Sequence, residues 1–364
     1  MIVDDAVVIR KILSDELGTD ADIEVAGTAS NGKIALQKIP QIQPDVITLD
    51  VEMPEMDGLE TLLHIKRDYP KIPVIMFSTL TERGGAATIE ALSRGASDYV
   101  TKPTNVGKVT QAKEAVREDL IRKIKALCGH RSLPVTPTTN PAPSKLFFRP
   151  SGAGPILPGT MGRLGDAVVI GVSTGGPNAL ARVIPALPAD LSVPVLIVQH
   201  MPPMFTRLLA ERLNAQSKFP VVEATEGMKI EPGKVIVAPG DFHLTIAGSR
   251  SVPVVVLTKG PPENSCRPAV DVLFRSAVKM YGGELLGVVL TGMGQDGMLG
   301  AREIKEAGGT IIAQDKATSV VWGMPGAVVE NGLADKILPI ESISAEIVRQ
   351  IKTARKSPVT GARL

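Results

Sequence analysis

Three residue types that together make a hydrolytic site lie far apart in the second half of this 364-residue chain: Ser173 in "VVIGVSTGGP", His200 after "VPVLIVQ", and Asp296 in "GVVLTGMGQDG". A serine hydroxyl attacks a carbonyl only when a base removes its proton, and histidine titrates in the right range to do so at neutral pH. A carboxylate on the other ring nitrogen fixes the tautomer and stabilises the imidazolium. Gly171-Val172-Ser173-Thr174-Gly175 satisfies G-x-S-x-G, the pattern of a sharp strand-to-helix turn that lifts a serine above a sheet. Taken alone, the stretch reads equally as a glycine-rich loop whose helix N-terminal amides cradle an anion. Its spacing fits neither a Walker loop nor G-x-G-x-x-G, which weakens the nucleotide side.

The partners favour the nucleophile. Of four histidines, His64 falls on a helical pattern, His130 in a proline-rich stretch, and His243 in a hairpin-like region where a surface or core role is expected. His200 follows an apolar strand and would share a sheet edge with Ser173. Asp296 alone would read as a loop cap, but three triad-type residues at three strand exits outweigh each single reading. Their order, Ser…His…Asp, differs from the Ser…Asp…His of α/β-hydrolases, so the elbow is shared without the fold.

A second group lies in the first half. "MIVDD" puts Asp4 and Asp5 at the end of one strand, and "VITLDVEMPEMDG" puts Asp50 at the end of another. "VIMFS" ends with Ser78, and "DYVTKP" ends with Lys102. Converging carboxylates repel unless a cation sits among them, and oxygen-only ligands suit Mg²⁺. A carboxylate, Mg²⁺, a hydroxyl and a lysine at one sheet edge can accept and stabilise a phosphoryl group. One acid at a strand end reads as a solvated group or a helix cap, as Asp5 could be. Five residues at strand ends do not.

These side chains need parallel sheets to converge, and the chain supplies the pattern. Segment 1–127 alternates strand candidates ("MIV", "DIEVAGTA", "DVITL", "PVIMFS", "SDYV") with amphipathic helices. Residues 128–164 contain seven prolines and no periodicity, which predicts an interdomain linker; "KLFF" within it is a candidate docking spot or simply an apolar patch. The βα rhythm resumes over 165–352, with "GKVIVAPGDFHLTIAGSRSVPVVVLT" predicting an antiparallel hairpin inserted into a mostly parallel sheet. Residues 353–364 are basic and polar, and a disordered tail is expected.

Composition sets outer limits. Forty basic residues against 38 acidic ones are too balanced to argue for nucleic acid or an anionic membrane as partner from charge alone. The two cysteines give no disulfide framework, the N-terminus lacks signal-peptide character, and no apolar run could span a bilayer. A soluble cytoplasmic protein is expected.

The first half resembles a response-regulator receiver domain through "VDD", "LDVEMPEMDG", "PVIMFS" and "GASDYVTKP". The resemblance implies a doubly wound flavodoxin-like fold, phosphorylation of Asp50 by a histidine kinase, Mg²⁺ held with Asp4 and Asp5, and a switch of Ser78, Tyr99 and Lys102. Two features depart from it: a first strand of only three residues before the acids, and Ala6 where many receivers have serine. The second half resembles the catalytic domain of chemotaxis protein-glutamate methylesterases through "IGVSTGGP", "QHMPPMFTRLLAERLN", "IVAPGDFHL", "NSCRPAVDVLF", "VVLTGMGQDG" and "WGMPGAV". That resemblance implies a doubly wound α/β esterase domain with Ser173 as nucleophile, His200 as base and Asp296 as its orienter. It also implies an oxyanion hole of backbone N–H groups at Thr174 and Met293, no cofactor for the esterase chemistry, methylated chemoreceptor helices as substrate, and accompanying glutamine deamidation. The competing classes are a DNA-binding regulator, which needs a helix-turn-helix or basic face that the βα pattern of the second half does not offer, and a nucleotide-binding or scaffolding α/β module without hydrolase activity.

Overall fold

Runs of β-branched residues alternating with amphipathic helices build two parallel sheets, each covered on both faces. The computed structural model describes residues 1–102, 109–129 and 166–356. The proline-rich segment, with His130 and "KLFF", lies outside the described residues.

The first half runs β1 (Ile2–Val3), α1 (Val7–Leu17), β2 (Thr28–Ala29), α2 (Gly32–Ile42), β3 (Ile47–Asp50), α3 (Gly58–Asp68), β4 (Val74–Ser78), α4 (Glu82–Ser93), β5 (Asp98–Thr101) and α5 (Val109–Cys128). All pairings are parallel in the order β2-β1-β3-β4-β5, the flavodoxin-like doubly wound arrangement. Side-chain caps set the helix starts: Asn31 accepts from Ile34 N–H at 2.9 Å and Asp57 from Glu60 N–H at 2.8 Å. "DIEVAGTA" pairs only at Thr28 and Ala29, far less than its alternation predicts. Its one neighbour, β1, offers just two residues of ladder, so the rest of the stretch has no strand to bond.

The second half begins with β6 (Ala167–Val172), α6 (Gly176–Val183), β7 (Val195–Gln199), α7 (Phe205–Gln216), β8 (Val221–Glu223) and β9 (Val235–Val237). After the hairpin β10 (His243–Ser249) and β11 (Val252–Thr258) come α8 (Val270–Tyr281), β12 (Leu285–Val289), α9 (Met298–Glu306), β13 (Thr310–Gln314), α10 (Met324–Glu330), β14 (Lys336–Leu338) and α11 (Ile340–Lys356). Seven strands form one parallel sheet, β14-β13-β12-β6-β7-β9-β8. The chain leaves β6 towards β7 and later returns to β12 on its other side, so strand order reverses at β6, where open α/β sheets place their ligands.

The hairpin is a separate two-stranded sheet rather than an insert in the large one. β9, the strand before it, is already bonded on both edges, and the hairpin packs its buried Leu244 and Val255 into the core beside α8. α11 continues through Lys356, into the stretch expected as a tail, and residues 357–364 lie outside the described residues. Ile343, Ile347 and Ile351 anchor that helix, and Ala354, Arg355 and Lys356 are good helix formers beyond them.

The halves touch. α4 lies against α6 and α7, Arg212 donates to Ile89 O at 2.9 Å, Asn178 donates to Ala96 O at 3.2 Å, and Arg207 pairs with Glu82 at 2.8 Å. Tyr99 of β5 stacks on the buried Phe205 of α7, with ring centroids 4.8 Å apart and planes within 8°.

One glycine shows how tightly the second sheet is built. A Cβ on Gly171 of β6 would lie 2.3 Å from Val270 Cγ1 at the start of α8. Gly171→Ala is therefore expected to destabilise the chain by about 1–3 kcal/mol through overpacking. A lowered midpoint in denaturant unfolding at unchanged slope checks this; an unchanged midpoint would mean α8 is free to yield.

Candidate active site

Ser173 immediately follows β6. Its N–H donates to Thr291 O at 3.0 Å and its C=O accepts from Gly176 N–H at 2.8 Å, so the serine is held between the next strand exit and the first turn of α6. The left-handed step of this elbow falls on Gly175, φ 76°, rather than on the serine, and a Cβ there would lie 2.6 Å from Val320 Cβ. Gln199, at the end of β7, donates from Nε2 to Ser173 O at 3.0 Å, and Thr291 donates from Oγ1 to Thr174 O at 2.9 Å. The backbone N–H groups of Thr174 and Met293 meet no acceptor among the described residues.

His200 leaves β7, and its Nε2 lies 2.8 Å from Oδ2 of Asp296 in the loop after β12. That carboxylate is buried and heavily solvated by the protein: Val270 N–H at 2.7 Å, Asp271 N–H at 3.0 Å, Gly297 N–H at 2.9 Å and Asn264 Nδ2 at 3.0 Å all donate to it. Two of these are the first amides of α8, so the helix N-terminus favours the anion. Burial pushes the Asp296 carboxyl up, and the His200 contact and these amides bring it below its ordinary value. For His200, burial works downward, but the bond to Asp296 and then Cys266 carry the ring up to about 9. Its Nδ1 lies 3.5 Å from Cys266 Sγ, and among the described residues no hydrogen bond joins it to Ser173 Oγ.

Ser173, Thr174, His200 and Met293 share a cavity of about 310 Å³, whose opposite wall is Asp98 and Tyr99 of β5 with Lys123 of α5. Lys123 donates to Tyr99 O at 2.6 Å and pairs with Asp119 at 3.1 Å.

At the other sheet edge, ligand oxygens of Asp4, Asp5 and Asp50 lie within 4.8 Å of one another. Lys102 Nζ bridges Asp50 Oδ2 at 2.7 Å and Asp4 Oδ2 at 3.0 Å. Burial lifts Asp50 to about 6, Lys102 opposing and Asp4 adding to it. Ser78 Oγ donates to Gly84 O at 3.0 Å, and among the described residues no hydrogen bond joins it to the acids. The donor set is carboxylate oxygen alone, two of its members buried, which fits a hard divalent cation such as Mg²⁺.

A family model described as CheB methylesterase matches residues 168–347, and one described as response regulator receiver domain matches residues 1–114. A protein-glutamate methylesterase/protein-glutamine glutaminase of Nocardioides sp. (strain ATCC BAA-499 / JS614) is 53% identical, over 100% of this chain and 98% of its own length. The chain belongs to this methylesterase family. A member from Pyrococcus horikoshii is 41% identical over 98% of this chain and 94% of its own. The crystal structure of the Thermotoga maritima CheB methylesterase catalytic domain is 46% identical, covers 51% of this chain and 98% of that one, and superposes with a TM-score of 0.50.

Among the expected methylesterase residues, His200 and Asp296 are in direct contact, while Ser173, Thr174 and Met293 line the same cavity. His243 is buried and structural, accepting from Ala269 N–H at 3.2 Å. Sequence reasoning missed Asn264, Cys266 and Asp271. "ENSC" carried a signal in its Asn-Ser turn, but nothing local tied it to the catalytic loops.

No helix among the described residues is long and apolar enough to cross a membrane.

Proposed function

We propose that this chain hydrolyses γ-methyl esters of glutamate side chains on chemoreceptor helices, releasing methanol, and deamidates receptor glutamines by the same steps. Ser173 is the nucleophile, His200 the general base and Asp296 its orienter. The observation that carries the reading is the 2.8 Å His200–Asp296 pair beside Ser173 at the reversal of strand order. With Nε2 held by Asp296, Nδ1 is the nitrogen that takes the Ser173 proton, once the ring has moved off Cys266. Ser173 Oγ bonds to the ester carbonyl carbon, and the oxyanion is aimed at the N–H groups of Thr174 and Met293. His200 returns the proton to the departing methoxide, which leaves as methanol, or, from glutamine, to the departing –NH2 group, which leaves as ammonia. Water activated by the same ring then cleaves the acyl-serine and leaves glutamate.

Control follows from the wall of the cavity. Asp98, Tyr99 and Lys123 line the same cavity as Ser173 and narrow the approach to it, so the arrangement supports a resting state of low basal activity. A histidine kinase is the phosphodonor and Asp50 the acceptor. Asp4, Asp5 and Asp50 would hold Mg²⁺, which when bound neutralises charge on phosphoryl oxygens. Lys102 pairs with the phosphorylated side chain, and Ser78, released from Gly84 O, turns to it. Tyr99 lies one strand away and carries that rearrangement to Phe205.

The test is methanol release from methylated receptor membranes by the full chain, with and without a small acyl phosphate and Mg²⁺. Phosphodonor is expected to raise the rate at least tenfold, and Asp50→Asn to abolish the increase while keeping the basal rate. No methanol in either state rejects the esterase reading. Equal rates with and without phosphodonor reject the control.

A further inference from the structure

We propose that the turn Glu263–Cys266 is a positioning element of the active site, holding the Asp296–His200 pair in register from above, and that Arg275 of α8 clamps it. The proposal rests on the esterase reading and adds residues to it.

The turn is a tight two-residue hairpin, with Glu263 N–H to Cys266 O at 3.1 Å and Cys266 N–H to Glu263 O at 2.9 Å. Its central residues, Asn264 and Ser265, both have left-handed backbone, φ 51° and 61°. Asparagine accepts that conformation; serine does so poorly, and two in a row persist only where the surroundings hold them. The surroundings do so at three points. Asn264 Nδ2 donates one hydrogen to Asp296 Oδ1 and the other to Asp271 Oδ2, both at 3.0 Å. Cys266 Sγ meets His200 Nδ1 at 3.5 Å. Glu263 takes both arms of Arg275, at 2.7 and 2.5 Å, a bidentate pair with fixed orientation.

The bridge by Asn264 matters because Asp271 and Asp296 are both buried carboxylates, and among the described residues it is the one side chain that donates to both. They form a reciprocal cap: Asp296 takes the first amides of α8, and Asp271, inside α8, takes Gly300 N–H in the first turn of α9 at 2.6 Å. Burial and the neighbouring Asp296 raise the Asp271 carboxyl, so the pair is held against its own repulsion. One amide group donating to both satisfies each and spaces them. Without it, Asp296 keeps the amides of Val270, Asp271 and Gly297 but loses the side chain that spaces it from Asp271, so the two carboxylates shift apart and the ring bonded to Asp296 shifts with them. Asn264 is therefore a positioning residue for a carboxylate that it touches and a base that it does not.

The experiment uses the full chain with phosphodonor and Mg²⁺, measuring methanol release and thermal unfolding together. Asn264→Ala is expected to lower kcat 10- to 100-fold with KM within threefold, and to lower the melting temperature by a few degrees while the chain stays folded at assay temperature. Glu263→Gln and Arg275→Gln are each expected to lower kcat three- to tenfold, and the double variant no further than either alone, as for one interaction broken twice. Arg275→Lys should recover part of the loss. Wild-type kcat in Asn264→Ala, or losses that multiply in the double variant, would overturn the positioning role. Should Asn264→Ala fold poorly, the Glu263–Arg275 cycle decides by itself. Absence of methanol from the wild type would instead remove the esterase reading, and this proposal with it.

Discussion

Replacing Ser173 with alanine is expected to lower methanol release by about 10⁴–10⁶-fold, the range seen when a nucleophile that acts as one unit with its base is removed. The substitution deletes only Oγ. The backbone bonds of residue 173 to Thr291 and Gly176, and the Gln199 bond to its carbonyl, remain. Stability should therefore stay within about 0.5 kcal/mol of wild type, as for other half-exposed positions without a structural partner. That combination separates the readings of "GVSTGG". An anion cradle binds through amide N–H groups, all of which survive in Ser173→Ala, so such a loop would lose little. A nucleophile loses nearly everything. Cys266 supplies the internal control, because it is the other nucleophilic atom near the imidazole. Were the thiol the attacking group, Ser173→Ala would keep its rate and Cys266→Ala would lose it.

The route to that prediction was visible in part before any coordinates. Strand exits are legible because an apolar β-branched run must end where polar residues begin, and in a parallel sheet every such end falls on one edge. Ser173, His200 and Asp296 follow β6, β7 and β12; Asp4 and Lys102 follow β1 and β5, and Asp50 and Ser78 end β3 and β4. Alternation over-read "DIEVAGTA" because period-2 pattern reports a face, not a partner, and β1 offers only two residues of ladder. The hairpin was legible as a hairpin, but its separation from the large sheet depended on β9 being paired on both sides. Asn264, Cys266 and Asp271 stayed hidden for another reason. They act through side-chain contacts across a loop and two helix starts, and no spacing rule links residue 264 to residue 296. The stack of Tyr99 on Phe205 is hidden in the same way, since it joins residues whose separation includes the whole proline-rich segment.

The resting chain should hydrolyse faster as pH rises from 7 to 9, by about 50-fold, then level off. As the proposed base, His200 must be neutral to accept the Ser173 proton, and its contacts with Asp296 and Cys266 outweigh burial and hold it at about 9. With that value, only about 1% of the rings are neutral at pH 7 and half at pH 9. Stability moves the other way. A histidine whose folded value lies above its unfolded value of about 6.5 stabilises the fold fully below that pH, and the contribution is lost as pH rises through about 9. Activity that climbs while the unfolding midpoint falls cannot come from a better-folded enzyme; it reports deprotonation of the base. Initial rates of methanol release without phosphodonor, corrected with Ser173→Ala for spontaneous ester hydrolysis, measure the effect. A limb centred near 6.5 would mean that Asp296 does not hold the ring in the working state, and a flat profile would mean that a step other than proton removal limits the resting enzyme. Asp296→Asn gives the complementary result: without the carboxylate the ring loses its main upward push, so the limb moves to lower pH while the plateau drops by about 10⁴-fold, because the ring loses the partner that sets its tautomer. A strong hold on the proposed base thus has two consequences in the same residues, an oriented imidazole and a protonated one, and the pH at which the rate rises reports which of them governs the resting chain.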